Sequence, residues 1–276
     1  MQQFINWGEE SPDQIEQRRR FEEDLREFAI NRMVLEARLS AAQAAVSGFG
    51  GKALDNLSGS GTITFDGVSQ YVSAPNAQVV NWLPGTGDFT IEWFAKKTAG
   101  GSSFPRLFSL GYDTGATIGC SVEGGTCYIW PYGNDLKGSM PAGYNGGTAW
   151  THIAICRSGT TTKLFIDGTL KATKTGDSRS IDDSINPGFD LNMGVDNPAG
   201  GSPNWWSGKM TNFRWVNSAL YTGSSLTVPT QPLTKVASTK LLMLGGTVAD
   251  PARDSAGLNT LVNHGGVWSD DTPFVA

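Results

Sequence analysis

Period-two alternation closed by tight turns constrains this chain more than any other feature. Two segments carry it. One is Ile63-Thr64-Phe65-Asp66-Gly67-Val68-Ser69-Gln70-Tyr71-Val72, followed by Gly87-Asp88-Phe89-Thr90-Ile91-Glu92-Trp93-Phe94. The other is Trp150-Thr151-His152-Ile153-Ala154-Ile155-Cys156-Arg157, then Lys163-Leu164-Phe165-Ile166-Asp167-Gly168. Apolar and polar side chains alternate, as a half-buried strand requires. Asp66-Gly67 and Asp167-Gly168 supply the φ > 0 residues of two-residue hairpins. Strands are expected near 62–66, 69–73, 88–96, 105–111, 116–122, 126–130, 150–157, 162–167, 170–174, 189–194, 206–217, 239–244 and 266–268. Turn clusters such as Gly100-Gly101-Ser102-Ser103 and Ala199-Gly200-Gly201-Ser202-Pro203 punctuate them. Amphipathic helices do not alternate with these runs, which excludes a parallel α/β sheet. The expected fold is mainly β, a two-sheet antiparallel sandwich over 62–276.

The first 61 residues follow different rules. Residues 1–11 form a polar arm carrying Phe4, Ile5 and Trp7, too few apolar groups for a core, so a docking arm is expected. Ser11 as N-cap, Pro12 at the first helical position and Gln14 then start a helix. Gly48 and Gly50-Gly51 stop it. Within 12–48, Phe21, Leu25, Phe28, Arg32, Leu35, Leu39, Ala42 and Val46 follow the spacing of a heptad a/d seam, interrupted by Arg32. At 1.5 Å per residue the helix would be about 50 Å long. Two fates are open to it: lying back on the sandwich, or self-association as a coiled coil. The narrow a/d stripe favours self-association, since a globular contact uses a wider apolar face. Residues 49–61, rich in Gly and Ser, are expected to link helix and sandwich.

The same strands resemble a known family. The run Phe65 to Val72 resembles the "FDGxxDYV" opening of concanavalin A-like, laminin-G-like jelly rolls. Phe89-Thr90-Ile91-Glu92-Trp93-Phe94 is similar to their "FTIE-aromatic" strand. Trp150 to Arg157 with Leu164-Phe165-Ile166-Asp167-Gly168 resembles their "W-x-H-[IV]-A-x-x-R … L-x-[IV]-D-G" pair. Gly208-Lys209-Met210-Thr211-Asn212-Phe213-Arg214-Trp215 resembles their closing strand. Further on, Ala219-Leu220-Tyr221-Thr222-Gly223 and Val228-Pro229-Thr230-Gln231-Pro232-Leu233-Thr234 are similar to the "ALYTG…PPTxPLT" run of such domains in bacteriophage virion proteins. The resemblance implies a jelly-roll head on a phage fibre or capsid decoration, located on the virion. It also implies a homo-oligomer, with a trimer expected, anchored to another virion protein through the arm and binding host cell-surface polysaccharide. The alternative is a bacterial carbohydrate-binding or adhesion protein without catalysis.

Sugar recognition needs aromatic faces with nearby amide, carboxylate and backbone groups. Two stretches have that makeup. One contributes Trp130, Tyr132, Asn134 and Asp135. The other contributes Asp196, Asn197, Asn204 and Trp206, where Trp205 and Trp206 must point to opposite faces of a strand. No cofactor is expected. Calcium is the one metal considered, because Asp177, Asp182, Asp183 and Asp190 lie close in sequence, but they lack a fixed ligand spacing. Gln70 stands where the resembling opening commonly has Asp, which weakens a calcium role for that corner.

Other classes recede. A net charge of -5 and a pI near 5.1 disfavour nucleic acid. No run of about 18 apolar residues suggests membrane insertion. Polar and acidic residues after Met1 suggest no secretory signal. The "E-x-D-x-x-E" strand of glucanases sharing this fold is absent, because Trp93-Phe94-Ala95 follow Glu92 and Gly124-Gly125-Thr126 follow Glu123. His152 lies in an alternating strand and His264 in a turn-like sequence, so no catalysis is expected. Cys120 and Cys127 could face each other across a Glu123-Gly124 turn. That would make them a hydrogen-bonded pair, spaced wider than cross-strand disulfides usually are, so small buried hydrophobes are the preferred reading.

Overall fold

The alternating runs become two antiparallel sheets enclosing one core. The computed structural model describes residues 61–274, except 112–116, 148, 185–186 and 201. Numbering strands in chain order, the first sheet runs β10 (Thr169–Lys174), β9 (Thr161–Ile166), β8 (Thr151–Ser158), β3 (Phe89–Lys97), β12 (Ser207–Val216), β1 (Thr62–Asp66), β15 (Val267–Ser269). A further strand, β13 (Thr239–Met243), also pairs with β12. The second sheet runs β14 (Val262–His264), β2 (Tyr71–Ala74), β11 (Leu191–Met193), β4 (Arg106–Leu110), β5 (Ile118–Glu123), β6 (Thr126–Trp130), β7 (Gly133–Ser139). All pairings between these strands are antiparallel.

Inward-facing residues of both sheets form the core. Trp93 of β3 meets Phe108 of β4 edge-on at 5.1 Å and Phe213 of β12 at 6.1 Å, while Phe108 and Phe213 are 5.3 Å apart. These three rings are fully buried, and edge-to-face pairs add to what area burial alone contributes. Asn212 interrupts β12 with φ 54, where the register against β3 shifts. Asn tolerates this left-handed conformation better than most residues. Its amide donates to Thr211 Oγ1 at 2.9 Å, and its carbonyl oxygen accepts the Leu233 N–H at 2.6 Å. The N-terminal half of β12 pairs with β1 and the C-terminal half with β13.

The first sheet also has a packed outer side, covered by residues 217–234. Thr90 Oγ1 donates to Ser218 O at 2.8 Å and accepts the Leu220 N–H at 3.0 Å. Ala219, Tyr221 and Leu226 pack on Ala154, Cys156 and Phe165. Under this strap Glu92 is fully buried. It accepts hydrogen bonds from Arg214 Nε at 2.9 Å and Tyr221 Oη at 2.8 Å, and lies 3.1 Å from His152 Nε2. Burial pushes the Glu92 carboxyl up, but the His152 hydrogen bond and the Arg214 guanidinium outweigh it and hold it below its ordinary value. The carboxylate is therefore ionised, and His152 donates through Nε2.

Several expectations need correction. The mainly β two-sheet class stands, but the long N-terminal helix attached to it does not. The one helix among the described residues is α1 (Asn76–Val79), four residues long. The segment expected to be helical, with Phe21, Leu25, Phe28, Arg32, Leu35, Leu39 and Val46, lies outside the described residues, as do Phe4, Ile5 and Trp7. Strands β7 and β14 were not expected. Cys127 stands opposite Val122, and Cys120 opposite Ile129, so the two cysteines are diagonal neighbours. They are buried free thiols with sulfurs 3.4 Å apart.

Candidate functional site

Strand alternation builds a groove on the outer side of the second sheet. Val72 and Ala74 of β2 and Leu191 and Met193 of β11 enter the core, so Tyr71, Ser73 and Asn192 point the other way. The register sets Tyr71 opposite His264 and Ser73 opposite Asn192. The Tyr71 and His264 rings stack at 3.9 Å and 4°. Ser73 Oγ lies 3.1 Å from His264 Nε2. Residues 188–190 and 197–199 complete the walls of a cavity of about 360 Å³.

Polar groups around this groove are fixed. Asp190 Oδ1 accepts the Asn76 N–H at 2.8 Å. Asn192 Nδ2 donates to Asp196 O at 2.9 Å, leaving its carbonyl oxygen as an acceptor. Asn197 Oδ1 accepts the Ala199 N–H at 3.2 Å, leaving its amide hydrogens as donors. Burial holds His264 below its ordinary pKa, with the Asp190 charge opposing, so the ring is neutral near pH 7. Burial first, and Asp190 second, raise Tyr71. The two rings cover one face of each other, so an apolar ligand patch would meet an outer ring face or an edge, while the fixed amide and carboxylate groups can bond several hydroxyls.

The loop after β11 is held by its own buried carboxylate. Asp196 is fully buried. It accepts the N–H groups of Asn197 at 2.7 Å and Asn204 at 2.9 Å, and the Asn204 side-chain amide at 2.7 Å. Asp196 and Asn204 therefore hold the loop, and Asn197 lines the groove. Trp206 is fully buried, 5.8 Å from the Phe65 ring, and presents no face to a ligand. Its neighbour Trp205 is half-buried, 6.0 Å from Tyr71.

The other expected stretch lies elsewhere. Strand β6 is four strands from β2, about 19 Å at the usual strand spacing. Trp130 is half-buried and near-parallel to Tyr128 at 6.2 Å, with the Arg106 guanidinium 5.5 Å from its ring centre. Tyr132 is buried and donates to Asp177 Oδ2 at 2.8 Å. Asn134 accepts from Lys137 Nζ and Asp135 from Lys174 Nζ, both at 2.8 Å. The structure thus brings Asn197 to the groove and does not bring Trp130, Tyr132, Asn134 or Asp135 there. Sequence reasoning missed Tyr71, Ser73, Asn192 and His264. Their strand alternation was visible for β2, but His264 precedes Gly265-Gly266 and looked like a turn.

Among the acids considered for calcium, Asp183 and Asp190 are joined through Asn76, and the others bond different partners. Asp177 accepts from Tyr132 and Thr162, Asp182 from the Ser184 N–H, and Asp183 from the Asn76 amide. At the opening corner, partial burial pushes Asp66 up, but the N–H groups of Ser69, Val68 and Gln70 and the Ser69 hydroxyl bring it to about 2. Its Oδ1 accepts the Val68, Ser69 and Gln70 N–H groups and its Oδ2 the Ser69 hydroxyl. A cleft of about 470 Å³ beside Trp150 and Pro229 lies on the first sheet, where Val228 and Pro273 also line it. Phe94, His152, Asp167 and Gln231 line it as well, and its Phe94 and His152 rings are tilted at 49° rather than stacked.

Known proteins resolve the family. The profile of the concanavalin A-like lectin/glucanases superfamily, in its laminin-G form, matches residues 66–223, more than half of the chain. The chain belongs to this superfamily. Among solved structures, a candidate carbohydrate-binding protein from Bacteroides ovatus is similar at a TM-score of 0.53 and 13% identity, over 77% of this chain and 60% of that one. The chain therefore spans 60% of that protein's length. A heptameric SAP-like pentraxin from Limulus polyphemus is similar at 0.52 and 16% identity, over 76% of this chain and 94% of that one. At these identities the likeness shows the fold alone. A Trypanosoma rangeli sialidase, 14% identical over 58% of this chain and 25% of that one, has a TM-score of 0.42, too low to argue from. No curated protein matches the chain.

Proposed function

We propose that this superfamily member is a non-catalytic glycan-binding protein that holds its ligand in the β14–β2–β11 groove. One observation carries the reading: the stacked Tyr71–His264 pair in a groove that Asn192, Asn197 and Asp190 also line. A pyranose has an apolar face for the rings and hydroxyls for the amides and carboxylate. The buried carboxylate on the other sheet, Glu92, already accepts from Arg214, His152 and Tyr221, which suits a structural role.

The finer part of the reading rests on the resemblance of residues 219–234 to phage proteins. On that basis the domain is displayed on a bacteriophage virion as a homo-oligomer and attaches the particle to host-surface polysaccharide. Titration of the full chain with purified host polysaccharide tests the groove. Tyr71→Ala is expected to abolish binding while shifting the melting temperature by only a few degrees. Undiminished binding by this variant would remove the groove from the account. A wild-type chain that binds no glycan would overturn the reading itself.

A further inference from the structure

The groove's charge identifies its ligand class. Among the described lining residues, Asp190 is the one carboxylate, and none is Lys or Arg. It is positioned firmly. Its Oδ1 accepts the Asn76 N–H, and the Asn76 side chain is itself held by Asp183 Oδ1 at 2.9 Å and Phe189 O at 3.1 Å. The other Asp190 oxygen remains as an acceptor. The stacked ring pair adds no positive charge, because burial keeps the His264 imidazole neutral near pH 7. The Asp190 charge acts on both rings, raising Tyr71 and opposing the burial effect on His264.

From this arrangement we infer that the groove takes uncharged sugars and rejects sialylated or uronic-acid glycans. The inference rests on the glycan-binding reading and names the ligand class of that same site. A carboxylate acceptor bonds neighbouring hydroxyls well, since charge-assisted hydrogen bonds are the stronger kind. An anionic sugar entering the groove instead places like charges together in a partly desolvated cavity, where the described lining residues supply no Arg or Lys to compensate. Selectivity comes from this repulsion as much as from contacts to the preferred ligand.

The test is a glycan microarray of matched pairs, each a neutral oligosaccharide and its sialylated or uronic-acid counterpart, probed with the full chain at low and high salt. Neutral members are expected to bind at least about tenfold tighter, with a gap that narrows as salt screens the charge. Asp190→Asn keeps an acceptor for the Asn76 N–H and removes the charge, and is expected to close most of the gap. Anionic members bound as tightly as neutral ones by the wild type would overturn the ligand class and leave glycan binding intact. A gap unchanged in Asp190→Asn would overturn the role of this carboxylate. Failure of both members of every pair to bind would overturn the glycan-binding reading along with the inference.

Discussion

Two side chains show what single residues do here. Glu92 sits in an alternating strand where its neighbours predict an ordinary outward position. Instead it is fully buried under residues 217–234, with Arg214, His152 and Tyr221 around it. Glu92→Ala would leave the Arg214 guanidinium, itself 6% exposed, without its carboxylate partner. Breaking such a pair from one side costs about 3–5 kcal/mol. Denaturant unfolding should show that loss, and Glu92→Ala with Arg214→Met should recover part of it. His264 controls a different property. Its folded pKa lies below the ordinary 6.5, so as pH falls the unfolded chain takes up that proton first. Stability from this group is complete above about pH 6.5 and is lost as pH falls below it. Thermal melts between pH 7.5 and 5 should decline less steeply for His264→Gln than for the wild type. Neither role was legible in the sequence. Alternation told which face Glu92 takes, but not that a later segment would cover that face. Gly265-Gly266 made His264 look like part of a turn when it ends an edge strand.

At the scale of elements, the sequence showed most strands, because each needs only local alternation and a turn residue. The hairpin at Asp167-Gly168 formed as expected, with φ 46 and 75. Gly168 has a second reason to be glycine: a Cβ there would lie 2.6 Å from Leu226 O. That contact belongs to the strap over 217–234, which alternation could not reveal since it has almost no regular structure. Its anchors are scattered hydrogen bonds: Thr90 to Ser218, Tyr221 to Glu92, Leu226 N–H to Gly168 O at 2.9 Å, and Arg214 to Thr234 O at 2.8 Å. β7 was missed for the opposite reason. Gly133-Asn134-Asp135 has turn composition, yet these residues open an edge strand. If the strap is pinned through Tyr221, Tyr221→Phe should cost about 1.5–3 kcal/mol, the usual range for a hydrogen bond to a charged group. Hydrogen exchange should then rise first in residues 217–226, with β3 and β12 retaining protection. Uniform loss of protection would show that the strap and sheet open as one unit.

For the whole molecule, the groove predicts weak binding by one domain and strong binding by many. Its volume of about 360 Å³ is on the scale of one or two sugar rings. Little area is buried in such a contact, and desolvating hydroxyls offsets part of the gain. The aromatic patch at Trp130 lies about four strands away from Tyr71 and does not extend the same contact. Strength must then come from copies. In the multi-copy display proposed above, neighbours of a bound head would meet the same polysaccharide at an effective concentration set by their spacing, and avidity can exceed single-site affinity by about 10²–10⁴. The full chain immobilised on a sensor at rising density should therefore hold host polysaccharide with dissociation that slows steeply. Short oligosaccharides, which reach only one head, should dissociate at a rate independent of density. Tyr71→Ala should remove both behaviours together. Density-independent retention of the long polymer would mean that each groove suffices by itself, and that display in many copies adds nothing to attachment.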